Sequence, residues 1–115
     1  MGNKESGLQK LILDWLAVKK YYVWRNYVGA IIRKDQSFGK NPAKGMPDIM
    51  GILKTCPGRL FAIEVKTKTG RIYPHQKERI AELNANGALA FVARDLETVI
   101  KVFAEVDSHG QSTYH

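Results

Sequence analysis

A chain of 115 residues is long enough to bury one core and too short for two domains of ordinary size. Its 44% hydrophobic and 25% charged residues are ordinary globular values, which excludes a disordered composition, and no apolar run approaches the roughly 20 residues that span a bilayer. Eighteen Lys and Arg against eleven Asp and Glu leave a net charge of +7, which points to a polyanionic partner, nucleic acid ahead of anionic membrane or acidic protein. The single Cys56 cannot form an intramolecular disulfide, and Met1 to Gly7 is polar. A reducing, cytoplasmic setting without a leader is therefore expected. The expected organisation is one domain over residues 1–106 and a polar, frayed tail over 107–115.

Residues 4–20 carry Leu8, Leu11, Ile12, Trp15 and Leu16 at helical spacing on one face. Asn3 or Ser6 is a candidate cap. Glu5 lies three residues before Leu8, so it belongs at the rim of the core, or else serves as a first-turn acid complementing the helix dipole. Tyr21 to Ile32 is rich in aromatic and β-branched residues and reads as a strand, bent at Gly29. Tyr22 and Trp24 within it suit core, a dimer surface or a base-stacking platform, with core favoured. Arg33 to Gly45 breaks the pattern with Lys34, Lys40, Lys44, glycines, Pro42 and the lone aromatic Phe38. A loop of that length suits either a phosphate-backbone grip or a plain connector.

Two apolar runs, Asp48 to Leu53 and Arg59 to Lys66, flank Lys54-Thr55-Cys56-Pro57-Gly58 and predict a hairpin. Alternation along the second run puts Leu60, Ala62, Glu64 and Lys66 on one side and Phe61, Ile63 and Val65 on the other. A turn centred between Cys56 and Pro57 would set Asp48 opposite Val65, next to Glu64. Thr67 to Arg71 is a polar, basic exit that includes Lys68. Pro74 opens a helix with Gln76, Ile80 and Leu83 on one face, and Gly87 stops it. Ala88 to Ala93 is a short buried strand, parallel to the second hairpin strand because a helix intervenes. Asp95 caps a last helix with Leu96, Val99, Ile100 and Phe103 at helical spacing. The order helix, strand, strand, strand, helix, strand, helix gives an α/β fold, a mixed sheet flanked by helices.

Asp48, Glu64 and Lys66 thus converge at one end of the hairpin. Two acids that hold a divalent ion, with an amine to orient water or stabilise the phosphate, are the parts a phosphodiester hydrolase needs. A carbonyl of Ile63 or Val65 is available as a backbone ligand. His75 sits on a first turn beside these groups and reads better as a surface residue.

Pro47-Asp48 followed by Glu64-Val65-Lys66 resembles the PD-(D/E)XK nuclease signature. Lys44 to Ile49, Ile63 to Thr67, Gly70, Gln76 and Gly87 resemble its virus-type replication-repair nuclease (VRR-NUC) branch. The likeness runs from Glu5 to Phe103. It implies a restriction-endonuclease-like core and Mg2+ as cofactor, with Mn2+ substituting. Asp48, Glu64 and Glu5 would be metal ligands with the Val65 carbonyl, Lys66 the catalytic lysine, and Gln76 a residue facing the site. Lys34, Lys40, Lys44, Lys68 and Arg71 are the expected DNA contacts. Tyr73 departs from the family pattern, where a small polar residue is expected. Small stand-alone members resemble phage enzymes that cut branched DNA, four-way junctions included, as homodimers, and the same domain ends the larger Fanconi-associated nuclease. The implied activity is a structure-selective endodeoxyribonuclease resembling Holliday-junction resolvases, in a bacterial or phage-infected cell. The alternatives are a non-catalytic DNA-binding module of the same fold, or a nuclease of simple ends or RNA.

Overall fold

The computed structural model describes residues 3–26 and 45–113. The elements are α1 (Asn3–Val18), β1 (Tyr22–Arg25), β2 (Ile49–Ile52), β3 (Leu60–Val65), α2 (Pro74–Ala85), β4 (Leu89–Ala93) and α3 (Leu96–Thr113). They follow the order expected from the sequence. Four strands form one sheet in the order β1-β2-β3-β4, antiparallel up to β3 and parallel between β3 and β4. The strand-helix-strand unit β3-α2-β4 enforces that parallel pair, because a hairpin cannot return a strand in the same direction.

Register decides what each face carries. Ile49 pairs with Ile63 and Gly51 with Phe61, while Phe61 pairs with Leu89 and Val65 with Ala93 on the other side. Ile49, Phe61, Ile63, Val65 and Ala93 therefore share one face. They are buried with Ile12 and Leu16 of α1, with Val99 and Phe103 of α3, and with Tyr21. The rings of Tyr21 and Phe61 each stand edge-on to Phe103 at 5.0 Å, a geometry aromatic pairs favour over face-to-face contact. The opposite face carries Ala62, Glu64 and Ala90, all buried.

Several expectations shift. Leu11, placed on the apolar face of α1, is half exposed, and Leu13 instead packs against the core. Tyr22 is 74% exposed and Trp24 is also partly open, so neither is core; both project from β1, the edge strand among the described residues, to the face away from α1. The strand itself is short, and residues 27–32 of the expected strand and the whole stretch 33–44 lie outside the described residues. Helix α3 runs on to Thr113, through most of the stretch expected to fray. Where that stretch begins, Val106 packs on the core and Asp107 accepts a hydrogen bond from the Tyr21 hydroxyl at 3.3 Å. No helix among the described residues is long and apolar enough to cross a membrane.

Candidate active site

The hairpin register differs by one residue from the expected one. Leu53 N–H donates to Arg59 O, so the loop is the five residues 54–58, centred on Cys56 rather than between Cys56 and Pro57. Continued past Ile49–Ile63, this register sets Asp48 across from Glu64, not Val65. A one-residue shift moves a side chain to the other face of a sheet. The observed register is therefore the one that brings Asp48 and Glu64 to the same face. Asn26 fixes this end of the strand: its N–H donates to Asp48 O at 2.7 Å and its Nδ2 to Pro47 O at 3.2 Å. Gly45 lets the chain enter against α2, since a Cβ there would lie 2.8 Å from His75 O and 3.0 Å from Arg79 Cγ.

Asp48 Oδ2 accepts the N–H of Val65 at 2.9 Å. Glu64 is 2% exposed and Lys66 is 7% exposed, and the Lys66 ammonium lies 3.5 Å from Glu64 Oε2. Strand alternation delivers both to one side, as expected from their spacing. The Lys66 N–H continues the ladder to Ala93 O at 3.1 Å, which keeps the pair rigid where β3 ends. From above, Gln76 Nε2 of α2 donates to Glu64 Oε2 at 3.2 Å.

Electrostatics mark the same residues. Burial pushes Glu64 up to about 8; the charge of Asp48 adds to the shift, Lys66 opposes it and Glu5 adds a smaller share. Burial likewise raises Asp48 against the lowering pull of the Val65 N–H, of Lys66, of a hydrogen bond shared with Glu64 and of Arg25. Glu5, half-buried in the first turn of α1, is raised by burial and then by Asp48, with Lys66 opposing. The opening helix therefore lies within electrostatic reach of the hairpin acids. Glu64 is buried and Asp48 half-buried, and Lys66 and Arg25 do not offset the burial that raises both acids; such a pair is costly to ionise unless a further cation joins it.

That donor set fits a hard divalent ion: two carboxylates, with the Val65 carbonyl next along the chain, are oxygens of the kind magnesium takes. Among the described residues, no three His, Cys, Asp or Glu side chains stand together closely enough to hold an ion. Asp48 and Glu64 are the close pair, and Glu5 couples to them by charge alone, raising Glu64 a little and itself raised by Asp48.

Of the expected DNA contacts, Lys68 and Arg71 are exposed on the loop that leaves β3, beside Lys66, whereas Lys34, Lys40 and Lys44 lie outside the described residues. Three contributors were missed by sequence reasoning. Arg25 brings a second cation near Asp48. Asn26 holds the Pro47-Asp48 backbone. Arg94 clamps the exit loop, donating from one nitrogen to the carbonyls of Thr67 (2.6 Å), Lys68 (3.1 Å) and Gly70 (2.9 Å). Arg94 alone had a legible signal, because it directly follows the strand parallel to β3 and so sits level with Lys66, where the exit loop begins.

A family model described as the VRR-NUC domain matches residues 3–95. Among solved structures, a protein described as "VRR_NUC domain protein" superposes with a TM-score of 0.67 at 26% sequence identity, over 91% of this chain and 88% of that one. No curated protein matches.

Proposed function

The chain belongs to the VRR-NUC domain family, a nuclease-type family, and from that membership we propose that it is a metal-dependent endonuclease of DNA with a PD-(D/E)XK active site. The observation that carries the reading is the cluster of half-buried Asp48 with buried Glu64 and Lys66 at one end of the hairpin, braced by Gln76. In this reading Asp48 and Glu64 hold the ion, with the Val65 carbonyl, and Glu5 adds negative charge from the first turn of α1. The chemistry a divalent cation supplies when bound is to acidify water and to neutralise charge on the phosphate. Lys66 does the rest of the electrostatic work: its ammonium, held beside Glu64, orients the attacking water or donates to a phosphate oxygen. Gln76 fixes the Glu64 rotamer. The low exposure of Glu64 and Lys66 keeps bulk water away from both, which strengthens each contact.

The substrate we propose is branched DNA, cut by a homodimer of the kind found among stand-alone phage members. Resemblance supports this narrower reading, as does the basic charge of the chain. Two sites about a symmetry axis would cut a symmetric junction in pairs. Lys68 and Arg71 would take phosphates of the strand that enters beside Lys66.

The test is cleavage of a labelled four-way junction, a flap, a linear duplex and an RNA duplex, each with Mg2+ and with chelator. Magnesium-dependent cutting of the junction, abolished by Asp48→Ala with Glu64→Ala, is expected. Equal rates on linear duplex would reject the preference for branches. Binding without any cutting would favour a DNA-binding module that keeps the fold and not the chemistry.

A further inference from the structure

We propose that Tyr73, with His75 beside it, is a platform on which one unstacked base of the substrate lies next to the attacked phosphate. This rests on the nuclease reading above and adds to it the class of strand the site accepts. Tyr73 occupies the position before α2 where Ser, Thr, Asp or Asn would cap the helix. No capping hydrogen bond holds the ring, and the residue stands 46% exposed. The ring runs parallel to the His75 ring, with centroids 6.2 Å apart and planes within 9°. The Lys66 ammonium lies 5.4 Å from its centroid and the Arg71 guanidinium 5.6 Å.

The placement is not loose. Gln76 Oε1 accepts the Tyr73 N–H at 3.0 Å while its Nε2 donates to Glu64 at 3.2 Å. One amide thus ties the backbone under the ring to the acid that carries the chemistry. An exposed aromatic within 6 Å of two cations and tied through Gln76 to a buried acid matches a nucleotide, whose base offers a π face and whose phosphate is anionic. A base inside a duplex is stacked on both faces. The ring can therefore engage only a base that is unpaired or splayed, as at a branch point, a flap or a frayed end.

The experiment uses DNA strands with 2-aminopurine placed in turn at each position around the cut phosphate. Binding is read in Ca2+ in place of Mg2+, so that it is scored apart from cleavage. Wild type and Tyr73→Phe are expected to quench the fluorophore at one position and Tyr73→Ser at none. Serine removes the ring while supplying a good helix cap, so loss of fold does not mimic the result. In Mg2+, Tyr73→Ser is expected to lower kcat/KM by about 5- to 150-fold, mostly through KM, on an intact strand. With an abasic site at the quenched position, wild type and Tyr73→Ser are expected to cut equally. Absence of quenching at every position overturns the proposal. So does an equal loss on intact and abasic strands, which would mean that the ring acts only through Lys66. A chain that stacks the base but never cuts would instead reject the nuclease reading and leave the platform standing.

Discussion

Gln76 and Glu64 meet at 3.2 Å across the gap between α2 and β3, and this hydrogen bond joins helix initiation to the acid of the site. The other end of the Gln76 amide accepts the Tyr73 N–H. Gln76→Ala removes both contacts. Stability should fall by about 1 kcal/mol from the lost cap, and cleavage by about 10- to 100-fold from a Glu64 no longer held in place. Gln76→Glu separates the two effects, because a glutamate keeps the bond to Tyr73 N–H but repels Glu64. Its thermal stability at acidic pH should match wild type, while the pH at which cleavage rises should move upward. A pH profile of cleavage beside a melting curve checks both.

Glu64 makes stability depend on pH in an unusual direction. Its value is about 8 in the fold against 4.5 in the unfolded chain, so the native state holds its proton longer. Below 4.5 the folded and unfolded chains are equally protonated at this group. Between 4.5 and 8 the unfolded chain has released its proton and the native one has not had that option, so stability falls as pH rises. Asp48 is raised for the same cause and adds in the same sense. Without divalent cation, urea denaturation from pH 5 to pH 8 should show a loss on the order of a few kcal/mol. Glu64→Gln should flatten that slope. Added Mg2+ should raise the melting temperature more at pH 8 than at pH 5, since a cation favours the ionised pair; an equal rise at both would contradict the assignment of Asp48 and Glu64 as its ligands.

Arg94 governs the loop that carries Lys68 and Arg71. Its three acceptors are backbone carbonyls of residues 67, 68 and 70. Arg94→Ala should cost about 2–4 kcal/mol, because the carbonyls lose a charged donor in a partly buried position. Hydrogen exchange should locate the damage: amide 70, bonded to Thr67 O, should exchange faster, while amide 65, bonded to Asp48, should keep its protection. DNA affinity should drop with little change in its salt slope, whereas Lys68→Ala with Arg71→Ala should reduce that slope by about two units.

Much of this geometry was legible in the sequence because it follows from strict periods. The two-residue strand period fixed Glu64 and Lys66 on one side whatever the register. The apolar stripe at Ile12 and Leu16 and the Asp95 cap, whose Oδ1 accepts the Thr98 N–H at 2.8 Å, needed only local spacing. What failed depended on where a turn is centred. Pro57-Gly58 drew the expected centre half a residue late, and half a residue at a turn becomes a full residue across the hairpin. A contact such as Asn26 with Pro47 joins residues 21 positions apart, and no period announces it. Tyr22 and Trp24 misled for another reason: β-branched and aromatic composition predicts a strand, but not that the strand is the edge one among the described residues.

Gly51 should be the least replaceable small residue in the sheet. It sits inside β2, paired with Phe61 on one side and Val23 on the other. A Cβ there would fall 2.4 Å from Phe61 Cζ and 2.5 Å from Tyr22 O. The ring could turn away only by entering the cluster it shares with Tyr21 and Phe103, and the carbonyl belongs to the backbone of β1. Gly51→Ala should therefore cost about 2–3 kcal/mol despite the better strand propensity of alanine. If overlap with the ring is the cause, Phe61→Leu in the same chain should recover part of that loss, and a double-mutant cycle by urea denaturation measures how much. Because Asp48 is only three residues along the same chain, the shift of β2 that relieves the clash should also lower cleavage. Full activity in a stable Gly51→Ala variant would show that β2 moves without carrying Asp48.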